Sequence, residues 1–132
     1  MFKVRLILTN GILLAILILL TGCSGGSGPS AAAAVQAYWQ AMVDRDLNKV
    51  VELSCADWEA QARTEFNSFS AVKLELDNVA CSAASQSGDT VQVSCSGAII
   101  ANYGAEDLTI DIANRAYRVR NEGGEWRMCG YQ

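Results

Sequence analysis

The sequence predicts an α+β domain in which three N-terminal helices pack on a curved four-stranded antiparallel sheet. Two observations indicate this class. Residues 30–70 place apolar side chains every three or four positions, as an amphipathic helix does, whereas residues 71–132 alternate apolar and polar side chains, as a half-buried strand does. Helices that precede the strands, instead of alternating with them, are typical of α+β domains.

Three helices are expected between residues 30 and 70. Ser30 suits the N-cap of the first helix, and the charged residues 44–46 separate it from a shorter second helix that ends near Cys55. Asp57 is expected to cap the third helix. The apolar face of the first helix consists of Val35, Tyr38, Trp39, Met42 and Val43. The apolar face of the third consists of Trp58, Ala62, Phe66 and Phe69.

Four strands joined by turns are expected to follow. Their spans are residues 72–81, 91–103, 108–119 and 125–131, and an antiparallel meander is the simplest way to join them. The apolar phase shifts in the first strand at Asp77-Asn78, which indicates a β-bulge, and it shifts once more within the third. One face of the sheet is apolar and must be buried, and the three helices can cover it.

The first 22 residues have the pattern of a signal peptide. Lys3 and Arg5 supply positive charge ahead of an unbroken apolar run over residues 12–20, which is shorter than the roughly 20 apolar residues of a membrane-spanning helix. The stretch Leu20-Thr21-Gly22-Cys23 resembles the bacterial lipobox, and this resemblance implies cleavage before Cys23 and a diacylglycerol on its thiol. An ordinary signal peptide cut between residues 24 and 30, or an uncleaved anchor, are the alternatives.

The sequence is thus expected to divide into a signal peptide (residues 1–22), a lipidated Cys23 with a flexible tether (23–30), and one domain (31–132). Loss of Lys3 and Arg5 leaves 8 basic and 14 acidic residues, a formal net charge of −6, which argues against nucleic-acid binding. The lipid would hold the domain on the outer surface of the cell membrane. Ser24 after the lipid cysteine favours the outer membrane, if the cell has one.

The order of elements resembles the nuclear-transport-factor-2-like α+β cone, especially its small secreted bacterial lipoproteins. The resemblance covers residues 31–131 and is carried by three features: "AVQAYWQAMVDRDLNKVVEL", "ANRAYRVRNEGGEWRMCGY" and the bulged strands. It implies a cone that often holds a ligand or an active site. Enzymes of this family commonly use an Asp-His pair, or a tyrosine beside an acidic residue, for proton transfer.

Four cysteines lie in the domain, and an even number in an exported chain predicts two disulfides. Cys81 and Cys95 flank the turn near residues 84–89 almost symmetrically, so we expect them to pair. Cys55 would then pair with Cys129 and join the helices to the sheet. A zinc site is disfavoured because the four cysteines are dispersed and lack CxxC spacing.

No catalytic residues or cofactor can be assigned. The chain has no histidine, which excludes an Asp-His pair, and no nucleophile elbow, phosphate loop or metal cluster is present. A proton-transfer pair would need Tyr103, Tyr117 or Tyr131 beside a buried acid, but Asp77 and Asp111 are best interpreted as surface residues. Catalysis is therefore disfavoured.

If the domain holds a pocket, Tyr38, Trp58 and Tyr103 are the first candidates for its wall, because each combines an apolar body with a polar tip. The outer sheet face, with Arg118 and Arg120, would suit a homodimer or another envelope protein. We expect a noncatalytic binding or interaction module on a membrane anchor. A carrier of a small apolar molecule and a histidine-free Tyr/Asp acid-base enzyme, such as an isomerase, are the alternatives.

Overall fold

The computed structural model describes residues 30–132, which form three helices followed by five strands. The helices are α1 (Ala31–Val43), α2 (Leu47–Glu52) and α3 (Glu59–Ser68). The strands are β1 (Lys73–Ser87), β2 (Thr90–Asn102), β3 (Asp107–Asp111), β4 (Ala116–Glu122) and β5 (Glu125–Tyr131). Neighbouring strands run antiparallel, so the predicted α+β class with N-terminal helices is confirmed.

The predicted segment before the domain lies outside the described residues. This applies to the signal peptide (1–22), to Cys23 and to the tether up to residue 29. None of the helices within residues 30–132 is long and apolar enough to cross a membrane.

Helix capping follows the sequence at two of the three N-termini. The Ser30 side chain accepts a hydrogen bond from the first turn of α1, and Asp46 does the same for α2. The predicted cap of α3 is wrong, because Trp58 occupies the N-cap position without a side-chain bond. The Asp57 carboxylate instead lies 3.6 Å from the guanidinium of Arg120 on β4.

The sheet has five strands, so the prediction of four is wrong. β1 pairs along the length of β2, while β4 and β3 share the other edge of β2, at residues 90–94 and 98–102 respectively. A turn at residues 112–115 divides the predicted third strand. There the Asp111 carboxylate accepts hydrogen bonds from the Ala113 amide (2.8 Å) and the Asn114 side chain (2.6 Å). The phase shift between Ile112 and Tyr117 marks this turn.

The β-bulge expected at Asp77-Asn78 is present. The pairing of β1 with β2 shifts register between Asp77 and Ala80, and Asn78 takes a positive φ of 50°. Gly97 lies opposite with a φ of 87°, and a Cβ atom there would lie 2.5 Å from the Asn78 carbonyl oxygen. The bulge therefore depends on a glycine at position 97.

The hydrophobic core lies between α1 and the inner face of the sheet. Its largest fully buried side chains come from α1 and from strands β2, β4 and β5, together with the turn before β4: Tyr38, Trp39, Met42, Ile99, Ile112, Tyr117 and Met128. The helical periodicity of α1 and the alternation of the strands produce these facing surfaces.

Both expected disulfides are present in the structure. Cys81 and Cys95 join directly opposed positions of β1 and β2. Cys55, between α2 and α3, joins Cys129 of β5. The segment around Cys55 also pairs with β5, since the Cys55 amide donates to the Met128 carbonyl (2.8 Å) and the Met128 amide donates to the Leu53 carbonyl (2.7 Å). This segment covers the outer edge of β5.

Candidate functional site

Two tyrosine hydroxyl groups converge on one carboxylate. Tyr38 of α1 donates a hydrogen bond to Oε2 of Glu65 on α3 (2.9 Å), and Tyr131 of β5 donates to Oε1. Tyr38 is fully buried, whereas Glu65 and Tyr131 are half-buried. We call these three residues the Glu65 cluster. It links two helices to the last strand through hydrogen bonds to a charged acceptor, which are stronger than those between neutral groups.

Aromatic rings and one cation surround Tyr131. Its ring centroid lies 5.5 Å from that of Tyr117, 5.6 Å from that of Trp58 and 6.4 Å from that of Trp39. The guanidinium carbon of Arg115 lies 4.4 Å from the Tyr131 centroid, within the range of a cation–π interaction. Tyr131 therefore lies at the centre of an aromatic cluster where α1, α3 and the sheet meet.

The tyrosines of this region keep their protons at neutral pH. Burial raises the pKa of Tyr38 above its ordinary 10.0, and the negative charge of Glu65 raises it further. Burial likewise raises the pKa of Tyr131, with the hydrogen bond to Glu65 as the next cause, and burial raises the pKa of Tyr117. All three phenols therefore stay protonated, and Tyr38 and Tyr131 act as hydrogen-bond donors and not as bases.

The Glu65→Gln substitution is expected to lower the pKa of Tyr38 and Tyr131 while leaving both above 10.0. The carboxylate charge and its hydrogen bonds favour the protonated phenols, but burial is the largest cause and remains. In a near-ultraviolet absorbance titration, tyrosine ionisation in Glu65→Gln should therefore begin at a lower pH than in the wild type. Glu59→Gln on the same helix is the matched control, because Glu59 pairs with Arg63. Identical tyrosine titrations in the wild type and Glu65→Gln would contradict this assignment.

A cleft of about 130 Å³ opens beside Trp58, and we call it the Trp58 cleft. Its lining residues include Trp58, Tyr131, Gln92, Gln132 and Arg118. More than half of its exposed lining is polar, unlike the mostly apolar lining that is usual for a small-molecule site.

A bulge in β5 creates room for the indole ring. Tyr117 pairs with Tyr131 and Val119 with Met128, so two residues of β5, Cys129 and Gly130, oppose one residue of β4. Gly130 has a φ of 115°, and a Cβ atom there would lie 3.0 Å from Cε3 of Trp58. The glycine thus lets the indole lie directly on the strand.

The polar groups of the cleft are only partly satisfied. Gln92 of β2 pairs in register with Arg118 of β4. Arg118 donates from Nη2 to the Cys129 carbonyl oxygen (2.6 Å), and no carboxylate of residues 30–132 lies within 4.0 Å of its guanidinium. The Gln92 Oε1 atom is buried and has no hydrogen-bond partner within the described part of the chain. The exposed Arg118 therefore offers its remaining N–H groups to a bound group, whereas the Gln92 oxygen is enclosed by the protein.

Within residues 30–132, one group of potential metal ligands occurs next to the cleft. Ligand atoms of Cys55, Glu122 and Cys129 lie within 4.8 Å of one another. The two sulfur atoms are joined in a disulfide and so provide no thiolate for a metal ion.

The structure separates the three predicted pocket residues. Trp58 lines the cleft, and the buried hydroxyl of Tyr38 belongs to the Glu65 cluster close to the Trp58 indole. Tyr103 lies apart from both, because it follows β2 in the connection to β3, where 55% of its surface is exposed. Asp77 and Asp111, which were considered as acids, are both exposed.

Sequence reasoning missed Glu65 and Arg115, although both carry a signal. Glu65 follows Ala62 by three positions and therefore shares the apolar face of α3, where a carboxylate needs a partner. Arg115 precedes Tyr117 by two positions and so shares the inward phase of β4. A charged residue on a buried face was the feature to look for.

Comparison with known proteins identifies similar folds but no family. No protein-family model matches the sequence, and no curated protein matches it. A SEC-C motif containing protein from Rhodopseudomonas palustris aligns with a TM-score of 0.54 and 14% identity over 79% of this chain and 80% of its own. The helical cell shape determining protein Pgp2 from Campylobacter jejuni aligns with a TM-score of 0.51 and 11% identity, over 76% of this chain and 38% of its own.

These findings correct the expected family. The assignment to nuclear-transport-factor-2-like lipoproteins is wrong: the structural neighbours are a SEC-C motif protein and a cell shape protein, and the sheet has five strands instead of four. The lipobox gains no support from the comparisons, and its residues lie outside the described part of the chain. The identities are low, so the two alignments show a shared fold and leave function to the site itself.

Proposed function

We propose that this chain is a noncatalytic binding module, held on the outer side of a membrane by a lipid on Cys23, with the Trp58 cleft as its binding site. The observation that carries the proposal is the composition of the cleft. The cleft brings Trp58 together with the exposed Arg118, whose guanidinium has no carboxylate partner within residues 30–132, and with the carboxamide residues Gln92 and Gln132. Groups of this kind gain hydrogen bonds when a partner binds.

The size of the cleft favours a macromolecular partner. A volume of about 130 Å³ is below the roughly 300 to 1,000 Å³ of pockets that enclose a whole small molecule. It suits one side chain of a larger partner, such as an envelope protein. A carrier of small apolar molecules would need a larger enclosed space.

The Glu65 cluster is the observation that favours the acid-base alternative, because it places a half-buried carboxylate beside two tyrosines. Its arrangement argues against catalysis. Each carboxylate oxygen already accepts a hydrogen bond from a phenol, and neither Glu65 nor Tyr38 lines the cleft. A general base must reach the proton that it removes. We therefore propose that the cluster has a structural role, in which Glu65 holds the Tyr131 side chain in position.

The membrane anchor is supported by the sequence and by the disulfides. The apolar run over residues 12–20 is followed by Cys23 and a Gly/Ser-rich tether, and two disulfides are typical of a chain outside the cytoplasm. One acyl chain binds a membrane only marginally, so firm attachment needs the two or three chains of a diacylglycerol-modified cysteine. A homodimer through the outer sheet face stays a prediction.

A photo-crosslinking experiment tests the cleft and the anchor together. We expect a photoreactive p-benzoylphenylalanine in place of Gln132, at the cleft, to form a discrete adduct with an envelope partner in intact cells. The same replacement at Gln86, an exposed glutamine of β1 that does not line the cleft, is the matched control and should give no such adduct. Cys23→Ser should abolish the diacylglycerol mass on the chain and the cut before residue 23, as mass spectrometry of the intact protein would show.

Two results would contradict the proposal. Equal adducts from the probes at Gln132 and Gln86 would mean that the cleft is not a preferred contact. A wild-type chain that carries no lipid mass on Cys23 would mean that the thiol of Cys23 does not hold the protein at the membrane.

A further inference from the structure

One positive charge at the Trp58 cleft has no counter-charge within residues 30–132. We infer that the cleft binds the carboxylate of an aspartate or glutamate side chain of the partner protein, and that the Arg118 guanidinium recognises it. This inference rests on the proposed binding function and adds the chemistry of the partner.

Arg118 differs from the other cations of the described chain. Every other lysine and arginine of residues 30–132 either forms an ion pair, as Arg120 and Arg127 do, or packs on an aromatic ring, as Arg45 and Arg115 do. Arg118 has neither kind of partner in this range, and its side chain is exposed. Its charge is therefore available to a carboxylate from outside the chain.

The guanidinium of Arg118 is held at the cleft by the backbone. Its Nη2 atom donates to the Cys129 carbonyl oxygen (2.6 Å), which uses one N–H of the group and leaves the others free. Arg118 alternates along β4 with the buried residues Tyr117 and Val119, so it lies on the outer face of the sheet. A side chain that is already positioned loses less conformational entropy when it binds a partner.

Uncharged residues flank Arg118 on both neighbouring strands. Gln92 lies directly opposite on β2, and the bulge of β5 places Gly130 on the other side. The next residue of the outer face along β4 is Arg120, whose charge is offset by an ion pair with Glu122 (3.3 Å). An incoming carboxylate therefore meets the attraction of Arg118 without a like charge directly beside it.

Charge and size favour a single carboxylate over other ligands. The domain has a formal net charge of −6 once Lys3 and Arg5 are excluded, so it repels a doubly charged anion more strongly than a singly charged one. The cleft of about 130 Å³ has room for one side chain, and Trp58 at its edge displaces water, which strengthens an ion pair. A neutral side chain would gain no ion pair here, and a basic one would be repelled by Arg118.

Fluorine NMR on the full chain in detergent micelles tests the inference. The protein contains three tryptophans, and 6-fluorotryptophan keeps the fluorine off the indole edge that contacts Gly130. Trp→Phe variants assign the signals. The probes, at equal ionic strength, are the N-acetyl N-methylamides of glutamate and glutamine, and inorganic phosphate. The glutamate probe should shift the Trp58 signal saturably, with an affinity about tenfold higher than either of the others, and leave the Trp126 signal unchanged.

Variants locate the recognition. Arg118→Met removes the charge and should abolish the preference for glutamate over glutamine, whereas Arg118→Lys, which keeps the charge, should retain part of it. Lys73→Met is the matched control, because it removes the same charge from an exposed residue of β1 that does not line the cleft. It should leave the preference intact.

Three results would overturn the inference. Equal midpoints for the glutamate and glutamine probes, or a preference that survives in Arg118→Met, would mean that Arg118 does not recognise a carboxylate, while the cleft remains a binding site. A phosphate affinity that equals or exceeds that of the glutamate probe would indicate a general anion site. If no probe shifts the Trp58 signal, carboxylate recognition is wrong, and the crosslinking from Gln132 decides separately whether the cleft contacts a partner.

Discussion

Replacement of both Cys55 and Cys129 by alanine is expected to lower the free energy of unfolding by about 4.5 kcal/mol. The two residues are 74 positions apart, so the bond between them closes a long loop and restricts the unfolded chain strongly. Such a loss is a large share of the roughly 5 to 15 kcal/mol that stabilises a typical domain. Urea unfolding of the double variant, with the slope of the transition compared to the wild type, measures the change.

The second disulfide is the matched control. Cys81 and Cys95 are only 14 positions apart, and alanine at both should cost about 3 kcal/mol in the same loop-entropy treatment. Hydrogen exchange adds a local test. Loss of the Cys55–Cys129 bond should speed exchange of the Met128 amide, which donates to Leu53 at the covered edge of β5. An equal or larger loss for the Cys81–Cys95 pair would contradict this order.

The helices and the bulged pair of strands β1 and β2 could be predicted from the sequence because their signals are local. The apolar face of α1 repeats at helical spacing, and the phase shift at Asp77-Asn78 needs an extra residue in the strand. The division of the third strand was missed although its phase shift was visible. Residues 112–115 were interpreted as continuing a strand, whereas the Asp111 carboxylate closes a turn there.

The candidate site was less accessible to sequence reasoning because it depends on contacts between distant segments. Trp58 and Gly130 are 72 positions apart, and their contact forms one wall of the cleft. The Glu65 cluster likewise joins residues of α1, α3 and β5, so its acid could not be paired with a tyrosine from spacing alone. Tyr103 matched the expected residue type but lies in an exposed connection, because a pattern of residue types does not report which end of the sheet the helices cover.

Gly97→Ala is expected to destabilise the fold by about 3 kcal/mol. Two costs combine at this position. A φ of 87° is unfavourable for alanine, and its Cβ atom would lie 2.5 Å from the carbonyl oxygens of both Asp77 and Asn78. These are backbone atoms of the bulge, so they cannot move aside as a flexible side chain would. Urea unfolding measures the loss, and the register of β1 against β2 can be followed by backbone NMR.

Gly104→Ala separates the two costs. Gly104 has a similar φ of 97°, but nothing lies within 4 Å of the Cβ position, so only the backbone conformation is penalised, by about 1 kcal/mol. The difference between the variants therefore measures the close approach of the two strands. If Gly97→Ala costs no more than Gly104→Ala, the strands can separate freely at the bulge. In that case the bulge does not depend on the glycine, and the β1–β2 pair deforms more easily than its hydrogen-bond register implies.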